Sequence, residues 1–177
     1  MDFADVDLLA VTSGPGSFTG LRIGISLVKG LALALSRPVI AVSTLDALAL
    51  NLFSASILIC PFLDAKRGQV YASLYKTDSA GFPQRICPER VTDPKQFLES
   101  IHSEVVLLGD GTQSYADLIQ KVLPGRHVIA PLHLQYIRAS SVGQIALTMF
   151  QEQEFSDPLT LAPKYVRMLE SEGMGRS

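Results

Sequence analysis

An α/β layered fold with a mixed sheet is what the sequence predicts, on three observations. Short β-type runs alternate with helical ones through the first third of the chain, the order that builds sheets covered by helices. The stretch FLDAKRGQVYASLY places a turn between two apolar segments, so one strand pair is expected to be antiparallel. With 47% hydrophobic content, 177 residues are enough for one compact domain, or two small lobes, around a sizeable core.

The run LLAVT makes a strand of residues 8–12. A helix follows from about Thr19 to Ser36, then a strand at 39–42 and a helix over 44–54. Ser43, three residues ahead of Asp46, has the spacing of a capping box and marks that second helix start. ILICPFL at 57–63 is the next strand, and Gly68 is the tight point of a hairpin over 58–75. Residues 76–96 hold three of the ten prolines and are expected to form an irregular connection, a candidate lobe boundary. Beyond them come a helix near 94–102, a strand at 105–109, a helix at 112–122, a short strand at 127–130 and a helix at 139–153. Internal repeats and low-complexity segments are absent from the sequence.

Charge and cysteine usage exclude several classes. Fifteen basic and 17 acidic residues leave a net charge of −2, so no cationic field draws nucleic acid to this chain alone. Cys60 and Cys87 are far apart and belong to no ligand motif, as expected of reduced structural thiols in a cytoplasm. The acidic opening MDFADVD lacks a basic leader, and no apolar run is expected to reach the ~18 residues of a membrane span. The expectation is a soluble, cytoplasmic protein.

The string VTSGPGSFTGLRIG raises the question of a phosphate loop. A Walker loop needs a lysine directly after its last glycine, whereas the first lysine here is Lys29, more than two helical turns on. A dinucleotide fingerprint also fails, because GPGSFTG spaces its last two glycines one residue too widely. What remains is a tight turn in which Gly14 and Gly16 take backbone angles closed to other residues, with Ser17 or Thr19 capping the helix. An exposed helix start attracts anions weakly, so Gly14, Gly16 and Ser17 are weak candidate anion or nucleotide contacts. Asp64, beside Lys66 and Arg67, joins them if it faces a cleft between lobes; a solvated hairpin turn with local ion pairs is the alternative.

The helix itself is apolar on more than one side. At 100° per residue Arg22, Ser26 and Lys29 form one narrow polar strip, and Leu21, Ile25, Val28 and Ala32 one apolar stripe. Leu27, Leu31, Ala34 and Leu35 carry apolar surface well past that stripe, and Ile23 lies farther round. A helix covering a sheet needs only ~100° of apolar arc, so either the domain buries this helix on two sides or a partner covers one.

Catalytic constellations are missing. His102, His127 and His133 do not form the paired spacing of a metal hydrolase, and no Gly-x-Ser-x-Gly elbow occurs. No catalytic residue and no metal ligand is assigned.

The strings SGPGSFTGLRIGIS, KGLALAL, PVIAVSTLDALA, LDAKRGQVYASLY, LLGDG and APKYVR, in this order from residue 7 to about 170, resemble the TsaB (YeaZ) family. That family is the non-catalytic dimerization subunit of the bacterial tRNA threonylcarbamoyladenosine machinery. The resemblance implies the actin/Hsp70/sugar-kinase-like ATPase fold, a ribonuclease H-like α/β architecture with mixed sheets. Residues 1–55 are then the remainder of an N-terminal lobe and 56–177 a second lobe, the C-terminal segment returning to the first. It implies an accessory subunit, not an enzyme, that pairs with the catalytic paralogue TsaD, works with the ATPase TsaE and reaches tRNA only through the complex. No cofactor is expected to bind tightly, ATP or ADP entering only at the level of the complex. The alternative is a vestigial phosphotransferase or hydrolase acting alone, in line with older glycoprotease descriptions. Family members open with a β-meander and a helix that this sequence lacks; that weakens any nucleotide contact and leaves the helix at 19–36 without its expected cover. Self-association or poor solubility of the isolated chain is therefore expected. The expected partner interface is Leu21, Ile25, Val28, Lys29 and Ala32, with Arg22 at one edge. In APKYVR, Tyr165 and Arg167 alternate as strand neighbours and are either core edge or partner contacts.

Overall fold

The computed structural model describes residues 2–164, so Tyr165 and Arg167 lie outside the described residues. Strands β1 (Leu9–Gly14) and β2 (Val39–Ser43) pair in parallel, Leu9 opposite Val39 through Thr12 opposite Val42, with a bulge before Gly14. A parallel pair needs a crossover, and α1 (Phe18–Leu35) supplies it. Ser17 caps its start by accepting from the Gly20 N–H at 3.3 Å, and Ser36 in the left-handed region ends it. Helix α2 (Thr44–Ala49) begins at Ser43, whose hydroxyl accepts from the Leu45 and Asp46 N–H groups. The reciprocal half of a capping box is absent: the Asp46 carboxylate turns instead to Tyr75 and Arg85. α2 is shorter than the predicted 44–54 because Leu50–Leu52 tightens into a 3-10 turn before Phe53 goes extended.

The second sheet is mixed, as expected. Its central strand β3 (Leu58–Lys66) turns through Lys66, Arg67 and Gly68, all at positive φ, into β4 (Gln69–Ala72), which gives the predicted hairpin. β5 (Tyr75–Thr77) continues β4 in the same register, with Phe62 facing Ala72 and Ile59 facing Tyr75. The ladder breaks opposite Pro61, which has no N–H to give it. β6 (Pro83–Arg85) and β7 (Arg90–Thr92) pair with β5 and β4 as the outer rank. Residues 76–96 are thus not the irregular connection that their prolines suggest. Pro83 opens an edge strand, where a missing donor does no harm.

Helix α3 (Pro94–Glu99), capped by Asp93, leads to β8 (Val105–Leu108), which lies parallel to β3 on its other side. The helix predicted at 112–122 is two, α4 (Gly111–Ser114) and α5 (Ala116–Val122), because Tyr115 leaves helical angles to set its ring edge-on to Phe62. β9 (His127–Ile129) closes the sheet in parallel with β8. Phe62, Leu98, Leu107 and Ile119 are fully buried between this sheet and α3 and α5; Leu45, Leu48, Ile59 and Leu108 fill the opposite side beneath α2.

Finally α6 (Ala139–Gln151) packs Val142 and Ala146 onto Ile40 and Val42, so the two-stranded sheet is covered by α1 and α6. α1 is long and apolar enough to cross a bilayer by length and composition, with a mean hydropathy of 1.5 over 18 residues, which corrects the expectation that no segment reaches that length. The same two properties belong to helices packed on a protein surface, as α1 is packed on β1. Burial pushes the Cys60 thiol far above its usual range, and the nearby Cys87 adds to the effect. Cys60 is therefore expected to resist iodoacetamide at mildly alkaline pH in the folded protein and to react once unfolded in guanidinium, measured by peptide mass spectrometry.

Candidate functional site

A cleft of about 750 Å³ opens between the glycine turn and the β3–β4 hairpin. Gly16, Ser17 and Arg22 stand on one side, Asp64 and Lys66 on the other, so three of the four weak anion candidates line one cleft. Gly14 does not join them. Its φ is +120°, and a Cβ there would sit 2.8 Å from the Lys164 carbonyl oxygen, so it is the side of the turn against which the later chain packs. Gly16, by contrast, has open space where a side chain would be. Thr44 and Tyr136 also line the cleft and carried no sequence signal.

Hydrogen bonds fix the hairpin side. The Asp64 carboxylate accepts from the Lys66 N–H and Nζ, both at 2.8 Å, and from the Ser114 hydroxyl at 3.4 Å. The Asp64 N–H donates to Asp110 at 2.9 Å, which gives the aspartate of LLGDG a structural task. Partial burial works against the Asp64 charge, but the bonds and charge of Lys66 outweigh it and hold the carboxyl below its usual range. Across the cleft, the Arg22 guanidinium lies 3.7 Å over the Phe18 ring.

The expected interface on α1 needs correction. Leu21, Ile25 and Ala32 are buried within the chain, and helical phase alone does not say which of two apolar sides faces the sheet. Val28 is half-buried. The Lys29 Nζ donates to the carbonyls of Leu159 and Leu161, both at 3.1 Å, instead of facing outward. The outward side carries Phe18, Ile23, Leu27 and Leu33, each more than half exposed, with open space at Gly30. Ile23 and Leu27 were visible on the helical wheel as surplus apolar surface, so the signal for this face was present in the sequence.

The family model described as "TsaD: tRNA N6-adenosine threonylcarbamoyltransferase" matches residues 1–168. The Bacillus subtilis tRNA threonylcarbamoyladenosine biosynthesis protein TsaB is 34% identical over 171 residues, which cover 95% of this chain and 72% of that relative. Its Escherichia coli namesake is 33% identical, covering 92% and 71%. The solved structure of YeaZ from Pseudomonas aeruginosa superposes with a TM-score of 0.77 at 28% identity, over 93% of this chain and 77% of that one. The chain belongs to the TsaB (YeaZ) family. TsaB architecture, with its mixed sheet and helical cover, is therefore the actin/Hsp70/sugar-kinase-like fold expected from the sequence.

The lowered Asp64 carboxyl makes a prediction for this TsaB-family cleft. A depressed folded-state pKa stabilises above the unfolded value, about 4, and that stability is lost as pH falls through the lowered value. An Asp64→Asn variant is expected to be less stable than the parent near neutral pH, the gap closing below about pH 4. Urea titrations across that range measure it.

Proposed function

We propose that this chain is a cytoplasmic, non-catalytic scaffold of the tRNA threonylcarbamoyladenosine machinery that pairs with the catalytic paralogue TsaD through the outward side of α1. The carrying observation is that α1 turns Ile23, Leu27 and Leu33 to solvent while its inner stripe is already packed. Its relatives are tRNA threonylcarbamoyladenosine biosynthesis proteins, and family membership supports involvement in that biosynthesis. In this reading the two sheets belong to two lobes, residues 1–55 and 56–177, with the C-terminal segment returning to the first. TsaE and tRNA are met through the complex, and the isolated chain pairs with a second copy when TsaD is missing.

The cleft supports the non-catalytic reading. A general base near neutral pH needs a carboxyl raised toward 7, whereas Asp64 is lowered and engaged by Lys66. The Ser17 hydroxyl is engaged in capping α1, accepting from the Gly20 N–H at 3.3 Å. ATP or ADP binding then belongs to the complex. The rival reading, a phosphotransferase or hydrolase acting alone, predicts ATP turnover by the isolated chain that Asp64→Ala abolishes; the scaffold reading predicts none.

Ile23→Asp and Leu27→Asp place a charge on the exposed apolar face. Either is expected to weaken association with TsaD by several kcal/mol, enough to lose co-purification, with the circular dichroism spectrum and Tm unchanged. Persistent co-purification with both folded variants overturns the assignment.

A further inference from the structure

The geometry points to residues 156–164 as a latch that seats the Gly14–Ser17 turn, with Lys29 and Glu89 as its two anchors. After α6 the chain returns to the first sheet. The Ser156 N–H donates to the Val39 carbonyl at 2.9 Å, and its hydroxyl accepts from the Ala41 N–H at 3.1 Å, adding an antiparallel bridge to β2. Asp157 then folds the segment on itself: its carboxylate accepts from the Leu159 N–H at 2.9 Å and the Thr160 hydroxyl at 3.1 Å, and its carbonyl from the Leu161 N–H at 2.9 Å. Lys29 reaches across from α1 to the Leu159 and Leu161 carbonyls. At the far end the Lys164 N–H donates to the Ser13 carbonyl at 2.7 Å, and its Nζ to Glu89 Oε2 at 3.0 Å. The Lys164 carbonyl oxygen occupies the space that only a glycine at 14 leaves open.

Two features make this a latch and not simply a packed tail. Its seating rests on the hydrogen bonds above, with Leu159 70% exposed and Leu161 half-buried, so it can open without unfolding the cores. The anchor is also built for two states. The Glu89 side chain is 3% exposed and is held by Arg85 at 3.0 Å and by the Ser43 hydroxyl as well as by Lys164, so its buried charge stays paired when Lys164 leaves. The seated turn carries Gly16 and Ser17 at the cleft and the cap of α1, so latch opening and loosening of that cleft wall are one event. This holds whatever partner covers α1.

Hydrogen exchange on the full chain tests it. Lys29→Met and Lys164→Met are expected to speed amide exchange at least about tenfold both in 157–164 and in 13–17, with β3 and β8 protected as before. Lys29→Arg, which keeps the charge and its donors, is expected to restore protection. Acceleration in 157–164 alone, or in neither segment, overturns the proposal. Should a variant lose protection throughout, native-state exchange of the unaltered chain in low denaturant decides: the two segments exchanging with one common protection factor supports the latch, and separate factors overturn it.

Discussion

Among the described residues the first sheet has two parallel strands, too few to stand alone, and most of this architecture follows from that constraint. β1 and β2 offer only five or six residues each, so one face takes α1 and the other takes α6. The inner stripe of α1 is thereby spent on Leu21, Ile25 and Ala32. Because the sequence is apolar well beyond that stripe, the same helix must leave hydrophobic side chains in water or find them a partner. The second sheet has no such difficulty, since its parallel half is enclosed by helices on both faces.

Much of this was legible in the sequence. The order of elements, the hairpin at Gly68, the cap at Ser43 and the two-sided apolar helix all come from local chemistry: turn residues, hydroxyls before apolar runs, and periodicity. What was not legible depends on long-range packing. Nothing local says that Leu21 and not Leu27 meets β1, or that Lys29 spends its ammonium on carbonyls 130 residues away. Prolines at 83, 88 and 94 mark breaks equally well in a loop and in a rank of short edge strands, so residues 76–96 were misjudged. Tyr115 splits a helix because of a ring contact with Phe62, another fact of tertiary structure.

The cleft illustrates how little a cluster of charged residues says about chemistry until its hydrogen bonds are known. Asp64, Lys66 and Arg67, a carboxylate beside two cations, have the composition of a phosphate contact, yet Asp64 and Lys66 bond to one another and Asp110 bonds to the hairpin backbone. Electrostatic effort there goes into holding a turn. On the opposite rim the Arg22 guanidinium is stacked on the Phe18 ring.

β3 is long because it serves two partners in succession: β8 runs beside its first half, and the hairpin strand β4 beside its second. The Asp64–Lys66 corner is thus an overhang, cantilevered beyond the parallel layer toward the opposite lobe. Lengthening that overhang by two residues would keep every side chain on its own face while carrying the corner roughly 7 Å farther out. Strand length at this one place is therefore a ruler for the width of the cleft, and a means by which related chains can widen or narrow it without repacking either core.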